Sequence, residues 1–428
     1  MRTLTFFLLL VWATAGWGKP LAVRVSAESA LLMNAETGAI LYEKRPHALQ
    51  YPASLTKIAS SLYVLEKKKN QLDEMVFCDP RCLRKMRQET KAERSYRDAP
   101  YLLEPDGSHF SILPGERLRL KDLMYGMMVA SGNDASNVVA QHVEGSIPAF
   151  MRHLNAYIEK LGCKNTQFMN PHGLHHPQHR TTAFDLALIV RAALKNKMLC
   201  AIAGEKEYYR PKTNKQPLKM VKQKNKLLSK GKFFYEAAFG LKIGYTAKAG
   251  NTFAGVARED GRTLIVILLN CPSSDHQYRD AIRLFDAAFE EKKVSRLLFN
   301  SADNAFECRF KGGKGRLRAR LLEDISMEYF PSEEPEIKIE LDWQRLPLPI
   351  EKGALVGQLR ILNKEGDLFS VHALYAAERL EQTAYAACKA FFSGTSELSL
   401  TARIVLLALL FTLFAAFLYL MLKPKRSV

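Results

Sequence analysis

The chain of 428 residues has no low-complexity tract and no internal repeat, so its composition is that of an ordinary globular protein. It is short of acidic side chains, with 44 Asp and Glu against 62 Lys and Arg, a formal net charge of +18. Cys78 and Cys82 are the closest cysteine pair, and no second close pair or matching histidine pair accompanies them. A tetrahedral zinc site therefore lacks half its ligands. With seven cysteines in all, at least one thiol stays outside any set of intrachain disulfides. Residues 404–422 contain no charge at all, and that absence matters most for where the protein resides.

What is present at the two ends fits an exported, anchored chain. Arg2, the apolar run 4–13 and the small residues around Ala13-Thr14-Ala15-Gly16 read as a secretory signal occupying residues 1–18. The apolar run 404–422 is long enough to cross a bilayer as a helix, which takes ~17–25 residues. Lys423, Lys425 and Arg426 follow it, which places the six-residue tail 423–428 in the cytoplasm. The expectation is a single-pass protein of a bacterial cytoplasmic membrane with its bulk on the periplasmic side. Export argues against nucleic acid as the partner of the basic surface, leaving anionic lipid, an anionic polymer or plain solvent.

Between the ends, residues 19–294 read as one domain. Two short strands flank the turn Asn34-Ala35-Glu36-Thr37-Gly38, and a helix runs from Ser54 to about Lys67. Residues 81–106 are polar and interrupted by prolines, which predicts a surface loop. Four helices, three strands and a closing helix to Phe289 follow. Short alternating segments and scattered Pro and Gly over 295–380 predict a small all-β domain, with 381–401 a linker to the membrane helix, 402–422.

The chemistry lies in three short boxes. In Ser54-Leu55-Thr56-Lys57, helical spacing sets the two side chains one turn apart on one face. A serine hydroxyl needs a base to become a nucleophile, and a desolvated lysine can supply it. Ser131-Gly132-Asn133 and Lys242-Ile243-Gly244 follow in order. These boxes, with Asn170-Pro171-His172-Gly173-Leu174 and Thr181-Thr182-Ala183-Phe184-Asp185-Leu186, resemble the serine-type D-alanyl-D-alanine carboxypeptidases, the low-molecular-mass penicillin-binding proteins.

The resemblance implies an α/β (α+β) transpeptidase fold like that of penicillin-binding proteins and β-lactamases, an antiparallel sheet flanked by helices. It also implies removal of the terminal D-alanine from peptidoglycan stem pentapeptides through an acyl-enzyme, without a cofactor or metal, with β-lactams as covalent inhibitors. In that scheme Ser54 is the nucleophile, Lys57 its base and Ser131 a proton carrier. Asn133, Lys242, Tyr245, Thr246 and Arg279 bind substrate, Arg279 at the terminal carboxylate. The backbone amides of Ser54 and Tyr245 form the oxyanion hole.

One residue departs from the pattern. Ile243 stands where the family has Thr or Ser, removing a hydroxyl that holds the substrate carboxylate, with Thr246 a candidate substitute. That change keeps open a weakened, wall-binding protein, and the machinery alone equally admits a D,D-endopeptidase. A β-lactamase is disfavoured because no Glu-x-x-x-Asn element stands in the right interval. His172, His175, His176 and His179 cluster densely, and a structural loop accounts for them better than a metal.

Overall fold

The structure is a computed structural model that describes residues 11–12, 19–303, 305–364, 366–392 and 400–422. Apart from residues 11 and 12, the predicted signal segment lies outside the described residues. So does the tail 423–428.

The chain divides into two units, one built from Gly18–Lys293 with Phe330–Glu334 and the other from the remaining carboxy-terminal chain with the amino terminus. The larger unit is organised on a five-stranded antiparallel sheet. Its strands are β1 (Ser29–Asn34), β2 (Ile40–Lys44), β3 (Ala238–Thr246), β4 (Gly250–Glu259) and β5 (Arg262–Cys271), in the spatial order β2-β1-β5-β4-β3. Helices α1 (Thr56–Lys67), α2 (Leu120–Met128), α3 (Asn133–Glu144) and α4 (Ala183–Leu194) share one core with one face of the sheet. Helix α5 (Ser274–Phe289) covers the other.

Side-chain alternation explains the layering. Leu31, Met33, Ile265, Ile267 and Leu269 join the core with α1 to α4, while Leu32, Leu264, Val266 and Leu268 join the core with α5. A strand covered on both faces reads as a continuous apolar run, which is why Leu264 to Leu269 shows no polar position. Helix α1 is likewise buried all round from Thr56 to Leu65, as befits a helix in the middle of a core.

Phe330–Glu334, which the sequence places inside the small β domain, packs instead with the sheet unit. Arg262 is 6% exposed there, with its guanidinium on Glu333 and 3.5 Å from Glu291, and its charge over the Phe330 ring at 3.7 Å. Asn34 also donates to Glu333 at 2.7 Å. A buried arginine between two carboxylates and against an aromatic ring fixes this short strap, since removing the carboxylates would strand a buried charge.

The second unit holds its own core around Leu317, Ala319, Val356, Leu359, Ile361 and Leu374. Its six-stranded sheet includes Ile337–Trp343, Leu355–Asn363, Leu368–Ala376, Arg316–Arg320 and Ala305–Arg309, with Val11–Trp12 at the edge of Ile337–Trp343. The stretch expected as plain linker contains a helix, Ala384–Phe392. The predicted membrane segment forms a helix, Leu400–Leu422, but among the described residues no helix is long and apolar enough to cross a membrane. The transmembrane assignment is therefore not carried by the structure.

Candidate active site

The nucleophile candidate is held in a strained turn. Ala53, with φ of 48°, and Ser54 form a single 3-10 turn (Ala53–Leu55) that runs directly into α1. Thr56 Oγ1 donates to the Ala53 carbonyl at 2.9 Å and is itself 2.8 Å from His179 Nε2. His179 Nδ1 accepts from the Met169 amide, so the proton sits on Nε2, which donates to Thr56. Gly173, at φ of 93°, closes over the same turn, and a Cβ there would lie 1.8 Å from the Ala53 oxygen. Only glycine fits that approach.

Lys57 projects one turn along α1 and is fully buried. Its Nζ lies 2.8 Å from Asn133 Oδ1, 2.6 Å from the His172 carbonyl oxygen and 2.9 Å from Ser54 Oγ. Burial above all, then the positive charge of Lys242, holds this amine well below the ordinary lysine range. A neutral amine has two N–H donors and one lone pair. Asn133 Oδ1 and the His172 carbonyl can only accept, so they take both donors. The lone pair is left to face the Ser54 hydroxyl.

The second box is locked by Asp134, which accepts the Phe110 and Ile112 amides at 2.7 and 3.0 Å. Ser131, at φ of 59°, is thereby set with its Oγ 3.1 Å from Ser54 Oγ. The third box runs along edge strand β3. Lys242 is 1% exposed, with its pKa pulled down to about 7 by burial and then by Lys224. Gly244 brings the strand against the nucleophile, since a Cβ there would lie 2.8 Å from the Ser54 amide nitrogen.

A cavity of about 540 Å³ opens over these groups. Ser54, Ser131, Asn133, Ile243, Tyr245 and Thr246 all line it. Thr246 Oγ1 accepts the Ala249 amide at 3.1 Å, which leaves its O–H available to a ligand. Ile243 is half-buried and packs against the core with α5, so the position of the missing hydroxyl is filled by an alkyl group.

Arg279 does not belong to this set. It is exposed, whereas its neighbours on α5, Ser274 and Gln277, line the cavity. Two residues along a helix turn a side chain by roughly 200°, and that rotation takes Arg279 off the cavity face. The cations that do line the cavity are Lys224 and Lys248. Residues 81–106, expected to be a surface loop, supply a wall through Gln88, Glu89, Glu104 and Asp106. Buried Lys91 braces that wall, donating to Glu104 at 3.0 Å and to the Leu102 carbonyl at 2.7 Å.

The histidines serve the loop around residues 169–180. His172 Nδ1 accepts the Leu174 amide at 3.1 Å, and His176 Nδ1 accepts the Gln178 amide at 3.1 Å. His175 stands edge-on to Tyr51 and Tyr96. Burial, and then neighbouring cations or histidines, draws His175 down to about 4 and His179 down to about 3.

The sequence profile described as D-alanyl-D-alanine carboxypeptidase matches residues 17–273, more than half of the chain. The chain belongs to the D-alanyl-D-alanine carboxypeptidase family. It is 27% identical over 386 residues to the D-alanyl-D-alanine carboxypeptidase DacF of Bacillus subtilis, covering 88% of this chain and 93% of that one. The DacA carboxypeptidase of Haemophilus influenzae is 26% identical over 78% of this chain and 81% of its own. In fold it is similar to the crystal structure of the carboxypeptidase DacD from Francisella tularensis, with a TM-score of 0.58 over 85% of this chain and 96% of that one at 22% identity. This member of the carboxypeptidase family is an enzyme of peptidoglycan metabolism, and the endopeptidase and binding-protein alternatives are not favoured.

Proposed function

We propose that the protein removes the terminal D-alanine from peptidoglycan stem pentapeptides through an acyl-enzyme on Ser54. The observation that carries this reading is the bonding of Lys57, whose two acceptor-only neighbours leave its lone pair for the Ser54 proton. In acylation Ser54 Oγ attacks the carbonyl of the penultimate D-alanine while its proton moves to Lys57 Nζ. Ser131 then hands its hydroxyl proton to the departing D-alanine nitrogen and takes the one held by Lys57, and the C–N bond breaks. The Ser54 and Tyr245 amides receive the oxyanion, where each donor is worth roughly 3 kcal/mol. Water releases the shortened stem by the same route in reverse. Lys242 and Lys224 offer positive charge to the terminal carboxylate, the part first assigned to Arg279. A β-lactam would acylate the same serine.

The reading extends to location. The amino-terminal apolar run and the uncharged stretch 404–422, followed by a basic tail, support export and a single-pass anchor in the cytoplasmic membrane with the site on the periplasmic face. Recovery of the full-length protein in a salt-washed membrane fraction tests this, and a wholly soluble protein would overturn it.

The central experiment is D-alanine release from a synthetic stem pentapeptide by the full chain beside Ser54→Ala. Release that falls by roughly 10⁴-fold or more in the variant, together with loss of covalent labelling by penicillin, is expected. Equal release by both would remove Ser54 from the mechanism.

A further inference from the structure

Beside the catalytic cavity lies a second groove of about 420 Å³, lined by Lys224, Lys226, Lys230, Lys232, Asn225 and Asp275 among others. Its charge is unbalanced. Asp275 is shared by Lys226 at 3.4 Å and Lys232 at 3.1 Å, so one carboxylate answers two ammonium groups while Lys224 and Lys230 add further positive charge. Phe233 stiffens this arrangement, with Lys226 and Lys232 over its ring at 5.5 and 5.0 Å.

A buried donor points the same way. Asn225 is fully buried, and its Oδ1 caps the turn Lys226–Leu228 by accepting the Leu227 amide at 3.1 Å. Its Nδ2 is also buried and has no partner. A buried amide N–H without an acceptor costs stability unless a ligand supplies one. Lysines on a rim, and an unsatisfied N–H on a residue that lines the groove, both call for an anionic oxygen. The groove also shares Lys224 with the catalytic cavity, so its occupant lies next to the bound stem.

We infer that this groove is an anion subsite for the substrate polymer, binding the carboxylates of a stem peptide neighbouring the one being trimmed. The inference rests on the carboxypeptidase reading and adds to it a preference for polymeric over short substrates. Its physical signature is that the contribution is electrostatic and screened by salt.

The test compares D-alanine release from purified polymeric peptidoglycan and from a synthetic pentapeptide by wild type, by Lys230→Gln with Lys232→Gln, and by Asn225→Asp. Aspartate keeps the turn-capping oxygen of Asn225 but replaces the N–H with a negative charge. Both variants should lose roughly fivefold in kcat/KM on the polymer at low salt and leave pentapeptide turnover unchanged. The wild-type rate on polymer should fall as salt rises, and soluble polyglutamate should compete. Equal losses on both substrates, or none on the polymer, would overturn the subsite. So would competition by inorganic phosphate alone, or lost binding to anionic lipid vesicles with polymer turnover intact. Pentapeptide turnover by the wild type is scored separately, so failure of the catalytic reading is distinguishable.

Discussion

The floor of the catalytic cavity and its β3 wall each carry a lysine withdrawn from water and lowered by a neighbouring cation, and the two sit in different surroundings. On the floor, Lys57 meets three oxygen atoms, from the 3-10 turn that leads into α1, from α3 and from the loop around residues 169–180. On the wall, Lys242 is as deeply buried, and the charge that acts on it belongs to another cation, Lys224. A lysine whose N–H groups are spent on fixed acceptors is prepared to receive a proton. Like charge lowers both amines, Lys242 acting on Lys57 and Lys224 on Lys242, so what distinguishes Lys57 is the set of fixed acceptors around it. In the proposed mechanism the same residue type serves as a base in one place and as a positive charge for the substrate carboxylate in the other.

Removing the floor lysine breaks this comparison most severely. Lys57→Met should lower penicillin acylation and D-alanine release by roughly 10³-fold, within the range for loss of a general base. As the proposed base Lys57 acts neutral, so kcat/KM should fall as pH drops through its depressed value. That acid limb should vanish with the lysine, and a residual rate with an unchanged acid limb would assign the base elsewhere.

Lys242 has the opposite requirement and should govern the alkaline side. In the proposed mechanism it works as a cation, and its value near 7 predicts that kcat/KM falls as pH rises through neutrality. Lys242→Arg stays charged throughout, so the alkaline limb should move upward. The cost of this burial is legible in stability. Between about 7 and the ordinary lysine value the unfolded chain binds the extra proton, so stability rises with pH across that window and the penalty is complete below it. Lys242→Met should therefore raise Tm by roughly 5 °C at pH 6, more than at pH 9, while activity drops by roughly 10²-fold. A lower Tm at pH 6 would show that the buried cation is stabilised after all.

The contrast also explains what could be read from the chain. Ser54, Lys57, Ser131, Asn133 and Lys242 sit in short ordered boxes whose spacing is imposed by α1, by the start of α3 and by β3, so their pattern survives in one dimension. The sheet was visible because strands buried on both faces leave uninterrupted apolar runs. The third oxygen on Lys57 was hidden, since a backbone carbonyl from His172 carries no side-chain signature across 115 positions. Residues 81–106 were hidden for another reason. Their polarity resembles solvent exposure, but it includes buried Lys91, whose pairing with half-buried Glu104 braces a cavity wall. Lys224 was masked by the basic run around it.

Ile243 sharpens the wall rather than breaking it. The alkyl group faces the cavity where a hydroxyl would meet a carboxylate, and Thr246 offers its O–H from further along the strand. Ile243→Thr should raise the rate of penicillin acylation by roughly fivefold, the worth of one hydrogen bond to a charged group less the packing lost against the α5 core. An unchanged rate would mean that Thr246 already satisfies the carboxylate.

The smallest effect distinguishes the two candidate carboxylate cations. Arg279 and Lys224 carry the same formal charge, but only Lys224 lines the cavity, and only Lys224 perturbs Lys242. Arg279 points from the far side of α5, where solvent screens it from the bound carboxylate. Lys224→Ala should raise KM for the pentapeptide roughly fivefold and shift the Lys242 limb upward, because a repelling charge has gone. Arg279→Ala should change KM by less than about twofold and leave the pH profile in place. If Arg279→Ala instead raised KM more than Lys224→Ala, α5 would have to rotate or shift on substrate binding, and the register that turns Gln277 toward the cavity would not be the one used in turnover.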